Sequence, residues 1–376
     1  MLRRTLLASP LVLATPALAQ PAWPDRPIRM IVPFPAGGSL DVLTRLSCEA
    51  AQQGLGQSII VENRPGAGGN IGTDQIAKSP GDGYTLGSVS VGLLSINQYL
   101  FSRMPFDFDR ELTGISLIYE LPNIAVVPSE YNPTKTLAEF IAWAKARPQG
   151  VTFGSPGVGT SPHLAGAMLA ARAGYNGIHV PFRDAAQTVP AMLSGSLDFA
   201  LDNLASWIPV MQEGRARGLA VTSAERWPTL PEVPTMAEAG MPDFVVTSWA
   251  AIIAPIATPK PVVERISAAF RAVAEMPHVQ ARMLQSGGRA VWTSPEQTMA
   301  RARAERPMWQ EMVRVSGATA DCAAPGMAVP PARAGVSARP AVAPAGRAGR
   351  PPGASKPCID AAGPARLNRA NPRSRP

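Results

Sequence analysis

From residue 28 onward, short runs rich in β-branched and aromatic residues alternate with stretches in which apolar residues return every three or four positions. IRMIV, SIIVEN, YTLGS, NIAVVPS, VTFGS, GIHVPF, DFALD, GLAVTS and FVVTSWAAIIAP predict strands, with helical patterns between them. That alternation predicts an α/β protein whose mostly parallel sheet is flanked by helices. Nine strands in about 230 residues exceed one comfortable sheet, so two α/β lobes are the simpler arrangement.

Local punctuation sharpens several helices. Ser161 and Pro162 open HLAGAMLAARA, Gly174 closes it, and Pro261 and Pro295 begin two more. The last, SPEQTMARARAERPMWQEMVRV, contains Pro307, which predicts a kink or a split near Glu305 and Arg306.

The two ends read differently. Arg3 and Arg4 precede TLLASPLVLATPALA, which ends in Ala17-Leu18-Ala19 before Gln20. This predicts a secretory signal over 1–19, cleaved near Ala19, and export to the periplasm by either the Sec or the twin-arginine route. Beyond Asp321 the last 55 residues hold eleven Pro, fifteen Ala, six Gly and eight Arg with almost no large apolar side chain. Such a segment buries too little area to offset its ordering entropy, which predicts a disordered tail over 322–376.

The formal net charge of +8 would suggest a nucleic-acid partner if it were spread over the fold. It is not: residues 322–376 carry nine of the Lys and Arg and one acid, leaving 26 of each sign before them. Without Arg3 and Arg4, residues 21–321 hold 24 bases against 26 acids, so no basic field exists there to attract DNA or RNA. After the first twenty residues no apolar run reaches the ~18 residues of a membrane span. Cys48, inside a predicted helix, reads as a small core residue.

Three glycine-rich loops carry the candidate chemistry. In PFPAGGSLD, Gly37 and Gly38 stand between the strand IRMIV and a helix, so free N–H groups at the helix start face the space beyond the strand's carboxyl end. An anion suits that position, and Asp41 reads as a helix-start residue complementing the dipole. VTFGSPGVGTSPHL repeats the logic with Gly157, Gly159, Thr160 and Ser161, with His163 capping the turn. Two such loops, one per lobe, suit a ligand clamped between lobes. The third, VENRPGAGGNIG, imitates a dinucleotide fingerprint, but its spacing is G-x-G-x-x-x-G and Glu62 to Pro65 separate it from the strand. No nucleophile elbow, Walker loop or zinc motif occurs, and His163, His179 and His278 have no metal spacing. No catalytic residue, metal or cofactor is therefore assigned.

At these residues the chain resembles the Bug-type periplasmic solute-binding proteins that serve tripartite tricarboxylate transporters. VPFPAGGSLDVLTR, VENRPGAGGNIGTDQIAKSPGDGYTL, FGSPGVGTSPHLAG, HVPFRDAAQTVPAMLSGSLDFALDN, RGLAVTSAERWPTLPEVPTMAEAG and SWAAIIAPIATPKPVVERI look like the family's blocks in the family's order, over roughly 23–320. The resemblance implies a two-lobed type II periplasmic-binding-protein fold, with 23–122 and 224–321 in one lobe and 123–223 in the other. It implies a non-enzymatic, monomeric binding protein for a small carboxylate (dicarboxylate, tricarboxylate, amino acid or aromatic acid), delivered to membrane transporter subunits. Contacts are implied at Phe34, Pro35, Ala36, Gly37, Gly38 and Ser39, and opposite them at Ser155, Gly159, Thr160, Ser161 and His163. Ser88, Ser90, Asp202 and Asn203 are implied at the cleft edge. Asp184 departs from the glycine of many relatives and reads as a loop-surface residue, or, facing the cleft, as a repellent of a second carboxylate. Two alternatives stay open, a ligand sensor docking on a sensor's outer domain and a dinucleotide-binding enzyme.

Overall fold

The structure, a computed structural model, describes residues 23–320; the expected signal segment and the tail lie outside the described residues. Ten strands are present among the described residues: β1 (Ile28–Val32), β2 (Ile59–Asn63), β3 (Thr85–Ser90), β4 (Leu112–Pro128), β5 (Val151–Ser155), β6 (Gly177–Pro181), β7 (Phe199–Asn203), β8 (Ala216–Val221), β9 (Thr247–Pro255) and β10 (Arg289–Ala290). The helices are α1 (Ser39–Leu55), α2 (Asn70–Ala77), α3 (Phe108–Glu111), α4 (Leu137–Lys145), α5 (Ser161–Ala173), α6 (Ala185–Leu193), α7 (Ile208–Gln212), α8 (Lys260–Glu275), α9 (Pro277–Gln285) and α10 (Pro295–Ser316).

All ten strands join one mixed sheet in the order β2-β1-β3-β9-β4-β7-β5-β6, with β8 and β10 pairing on β4. The fold is α/β with helices on the sheet, as expected, but the sheet is not mostly parallel, since four strand pairings are parallel and five antiparallel among the described residues, and the junction differs from expectation. NIAVVPS is not a separate short strand: it is the second half of β4, a strand of 17 residues. The first half of β4 pairs with β9 and β10, the second half with β7 and β8. The sequence conceals this because Glu120, Pro122 and Asn123 interrupt the apolar run where β4 passes between the halves.

Packing follows the same division. One buried cluster sets Leu40, Leu43, Leu46 and Leu55 of α1 and Ile266 and Phe270 of α8 against Met30, Leu86 and Ile252 of the sheet. Another gathers Ile124, Val126, Trp207, Val221 and Trp227 beside the second half of β4. Cys48 lies within the first, and burial pushes its thiol up to about 12. A small core thiol is what the sequence predicted.

The expected break at Pro307 does not occur, because α10 runs unbroken from Pro295 to Ser316. Proline removes one N–H and crowds one carbonyl, at a cost of about 3 kcal/mol. Contacts on both sides of it offset that loss. Ala302 precedes Pro307 in the core, and Trp309, Met312 and Val313 follow it there. Glu305 Oε2 accepts from Trp249 Nε1 at 2.8 Å and from Trp309 Nε1 at 3.2 Å, while Arg301 Nε donates to Oε1 at 2.9 Å. Arg301 also reaches Glu120 of β4 at 3.1 Å, which ties the helix to the crossing strand.

Glu305→Ala strands the indole N–H groups of two fully buried tryptophans. Urea unfolding should show a loss of about 2–4 kcal/mol, and a variant as stable as the parent would remove this role.

Candidate ligand-binding site

Strand register brings the two anion-friendly loops to a common point. β1 and β3 run parallel with Ile31 opposite Gly87, so three residues on, Phe34 stands level with Ser90. Ser90 faces Ala250 of antiparallel β9. In the other half, β5 and β7 run parallel with Gly154 opposite Ala200, so the loop after Ser155 stands level with Asp202 and Asn203. Asn203 faces Asn123 of β4, and two residues earlier Leu121 faces Ser248 of β9. Both loops therefore leave the carboxyl ends of parallel strands beside the same short piece of β4 and β9. Carboxyl ends of strands where connectivity changes are where α/β sheets accept ligands.

Helix contacts agree with the register. Thr44 in the second turn of α1 shares a hydrogen bond with Ser88 at 2.7 Å, and Ser161 at the start of α5 is hydrogen-bonded to Ser248. Ser248 and Ile252, which pairs with Ser88, lie on one face of β9 because side chains alternate along a strand. Four residues of strand span about 14 Å, so both helices open over one face of one strand.

At the first loop, Gly37 takes φ +88°, a conformation open to glycine, and its amide donates to Asp41 Oδ2 at 3.0 Å. Asp41 Oδ1 accepts from Arg45 Nε and Asn63 Nδ2, both at 2.9 Å, and Asn63 also donates to the Phe34 carbonyl at 3.0 Å. Asp41 thus clips the loop to its own helix. The amides of Gly38 and Ser39 find no acceptor among the described residues. Phe34 and Pro35 are half-buried, whereas Ala36 and Gly37 are exposed.

The second loop is held by histidines. Gly159 donates its amide to His163 Nδ1 at 3.0 Å, Thr160 caps α5, and Ser155 Oγ lies 2.9 Å from the Gly157 carbonyl and 2.7 Å from His179 Nε2. The two imidazoles stack with centroids 3.6 Å apart. Burial lowers His163 to about 4; burial, then the neighbouring His163, lowers His179 to about 2. Both rings are neutral at pH 7, which keeps Nδ1 of His163 an acceptor. Gly159 has φ +77°, and a Cβ there would run into Leu100, from the π-helical and 3-10 turns after β3. A larger residue here would have to displace the Leu100 side chain and hold a left-handed backbone, both of which glycine avoids.

Not every candidate shares this space. Ser90 is half-exposed at the end of β3, but Ser88 is fully buried with its hydroxyl on Thr44. Asn203 faces Ser248, with its Oδ1 accepting at 2.8 Å, while Asp202 points to the opposite face. There Trp207 Nε1 donates to Asp202 Oδ2 at 3.2 Å, and burial raises the carboxyl to about 6. Asp184 caps α6, accepting from the Gln187 amide at 3.1 Å. In the GAGGNIG loop a Cβ on Gly72 would lie 2.7 Å from the Arg64 carbonyl oxygen and 2.9 Å from Pro33 Cβ. That glycine lets α2 pack under the first loop.

Sequence reasoning missed Asn123, Ser248, Leu100 and the pairing role of His179. Asn123 and Ser248 are polar residues set within apolar strand runs, a visible signal whose meaning needed the register of β4 on β9. Thr222 adds a third such residue: its hydroxyl accepts from the main-chain N–H of Asn123 at 2.9 Å and donates to the Val246 carbonyl, binding both chain crossings together. Among the described residues no group of three or more His, Cys, Asp or Glu could hold a metal ion.

The chain is similar to several known proteins. BugT of Bordetella pertussis is 33% identical over 320 residues, covering 84% of this chain and 98% of its own. The R. palustris protein Rpa4515, solved with adipate, superposes with a TM-score of 0.75 at 30% identity, over 78% of this chain and 98% of that one. MatC (Rpa3494) from Rhodopseudomonas palustris, solved with bound malate, gives 0.70 at 28% identity, over 77% of this chain and 100% of that one. Residues 43–316 match the tripartite tricarboxylate transporter family receptor, TctC, and the chain belongs to that family of solute-binding receptors.

Proposed function

We propose that this protein captures a small carboxylated solute between two lobes, 23–122 with 224–321 and 123–223, and hands it to a membrane transporter of the tripartite tricarboxylate type. The observation that carries this reading is the convergence of two helix openings on one face of β9, where the amides of Gly38 and Ser39 at the first and of Ser161 at the second have no acceptor among the described residues. A carboxylate there gains amide hydrogen bonds and the favourable end of two helix dipoles. Contacts come from Phe34 through Ser39, Ser90, Gly159 through Ser161 and Asn203, with Ser88, Ser155, His163 and Asp202 supporting from behind. The adipate- and malate-bound relatives support a small organic acid as ligand. Capture involves no bond making or breaking: contacts from both lobes favour the closed form, which docks on the transporter. The basic, apolar, small-residue pattern of 1–19 supports action in the periplasm.

Native mass spectrometry of protein purified without refolding should reveal a co-purified organic acid, and calorimetry with adipate and malate should return a measurable Kd. Gly37→Val puts a β-branched residue at φ +88° where nothing lies within 4 Å of the new Cβ, so the loop reorients while the fold survives. Affinity should drop at least about tenfold; an unchanged Kd removes the loop from the site.

The histidines set a pH dependence whose sign is fixed. Unfolded histidine titrates near 6.5, so as pH falls below that value the unfolded chain takes up two protons that the folded chain refuses. Stability is therefore lost from pH 6.5 down through about 4, and further for His179. Asp202 acts oppositely, binding its proton in the folded state from about 6 downward, ahead of its ordinary 3.8. Two histidines against one carboxyl give net loss. The melting temperature should fall by roughly 5 °C or more between pH 7 and pH 4.5, and less in His179→Gln. An equal fall in that variant assigns the acid lability elsewhere.

A further inference from the structure

Arg183 follows the carboxyl end of β6, exposed, and no hydrogen bond or ion pair engages its guanidinium among the described residues. Only its main-chain N–H is used, donating to Gln187 Oε1 at 3.3 Å. Asp184, next in the chain, spends its carboxylate on the Gln187 amide as the cap of α6. Other arginines close to the two loops are committed: Arg45 to Asp41 and Asn63, Arg301 to Glu120 and Glu305.

Register places this free cation beside the second loop. β5 and β6 run parallel with Ser155 opposite Pro181, and the Phe182 amide donates to the Ser155 carbonyl at 2.9 Å, so Arg183 comes level with Gly157. A Cβ on Gly157 would lie 3.9 Å from the Phe182 carbonyl oxygen, which shows how closely the two segments approach. The Gly157 carbonyl in turn accepts from Thr160 Oγ1 at 2.8 Å, and Thr160 caps α5. Val180 and Phe182 pack against the cluster around Ile124 and Trp207, so alternation assigns Arg183 to the other side, that of His179 and α5. Arg183 therefore stands at the rim of the second loop, outside the wall of hydroxyl and amide groups.

An anion approaching the fold meets 24 bases against 26 acids over residues 21–321, which gives no net attraction. The helix openings act only at short range, because their field falls off within a turn. A point charge reaches farther, to a Debye length of about 10 Å at 0.1 M salt. A lone charge at a rim raises the rate of encounter and changes the residence time little.

We propose that Arg183 is the steering residue of the site, its free guanidinium drawing the solute carboxylate to the second loop, from which it passes to the main-chain amides. This rests on the carboxylate-capture reading above and adds to it a route of entry.

Stopped-flow tryptophan fluorescence, with kinetic calorimetry as a second readout, gives kon and koff for the full chain with whichever of adipate, malate, succinate, glutamate and benzoate binds. At about 10 mM ionic strength Arg183→Gln should lower kon by about three- to tenfold and leave koff within about twofold. At about 0.5 M salt the variant and the wild type should converge. Arg183→Lys, which keeps the charge, should hold kon within about twofold of wild type, and Arg183→Glu should lower it further than Gln does. Residues 322–376 are the same in every protein, so their charge cancels from the comparison. The guanidinium has no partner to lose, and the Gln and Glu variants give two independent chances of a folded protein. A low-salt kon that neither variant changes, a loss that persists at high salt, or a change confined to koff overturns the steering role and leaves capture standing. Binding of none of the five acids overturns the capture reading and this one with it.

Discussion

The antiparallel pairing of β4 with β9 turns two α/β halves into one molecule. Nine residue pairs from Leu112–Pro255 to Pro122–Thr247 run along these strands, and β4 then continues beside β7 and β8. Because both strands are buried along nearly their whole length, neither half can shed the other without exposing core. The two loops converge as a consequence of this pairing. Parallel strands on either side must end where the shared strands pass, and helices that start at those ends must open over the same place.

Each loop is then made firm by a different device. Asp41 reaches back to the Gly37 amide and is itself held by Arg45 and Asn63, so charge stabilises the first. The second relies on neutral stacked imidazoles, one accepting from Gly159 and the other beside Ser155. Neither device brings a cation into the converging space. What faces that space is backbone, hydroxyl and amide.

Much of this was legible in the sequence, and the limits have physical causes. Strands and helix starts announce themselves through local chemistry: Thr160 before Ser161-Pro162, Ser294 before Pro295, and the glycines after β1 and β5. Pro307 misled because local propensity carries no information about Trp309 and Glu305, which hold the helix through it. Asp202 and Asn203 looked equivalent as neighbours, yet alternation along β7 sends one to Trp207 and the other to Ser248. Asn123 was silent for a related reason. Its meaning resides in who stands across from it, a long-range property that periodicity does not encode.

In the proposed binding role, the anchor for the solute is main chain, and that has a bearing on how such a protein changes over generations. Mutation rewrites side chains but leaves peptide N–H groups where the helices put them. The grip on one carboxylate therefore persists while the surrounding wall is altered. A lineage can exchange one nutrient for another without passing through an ancestor that retrieves nothing.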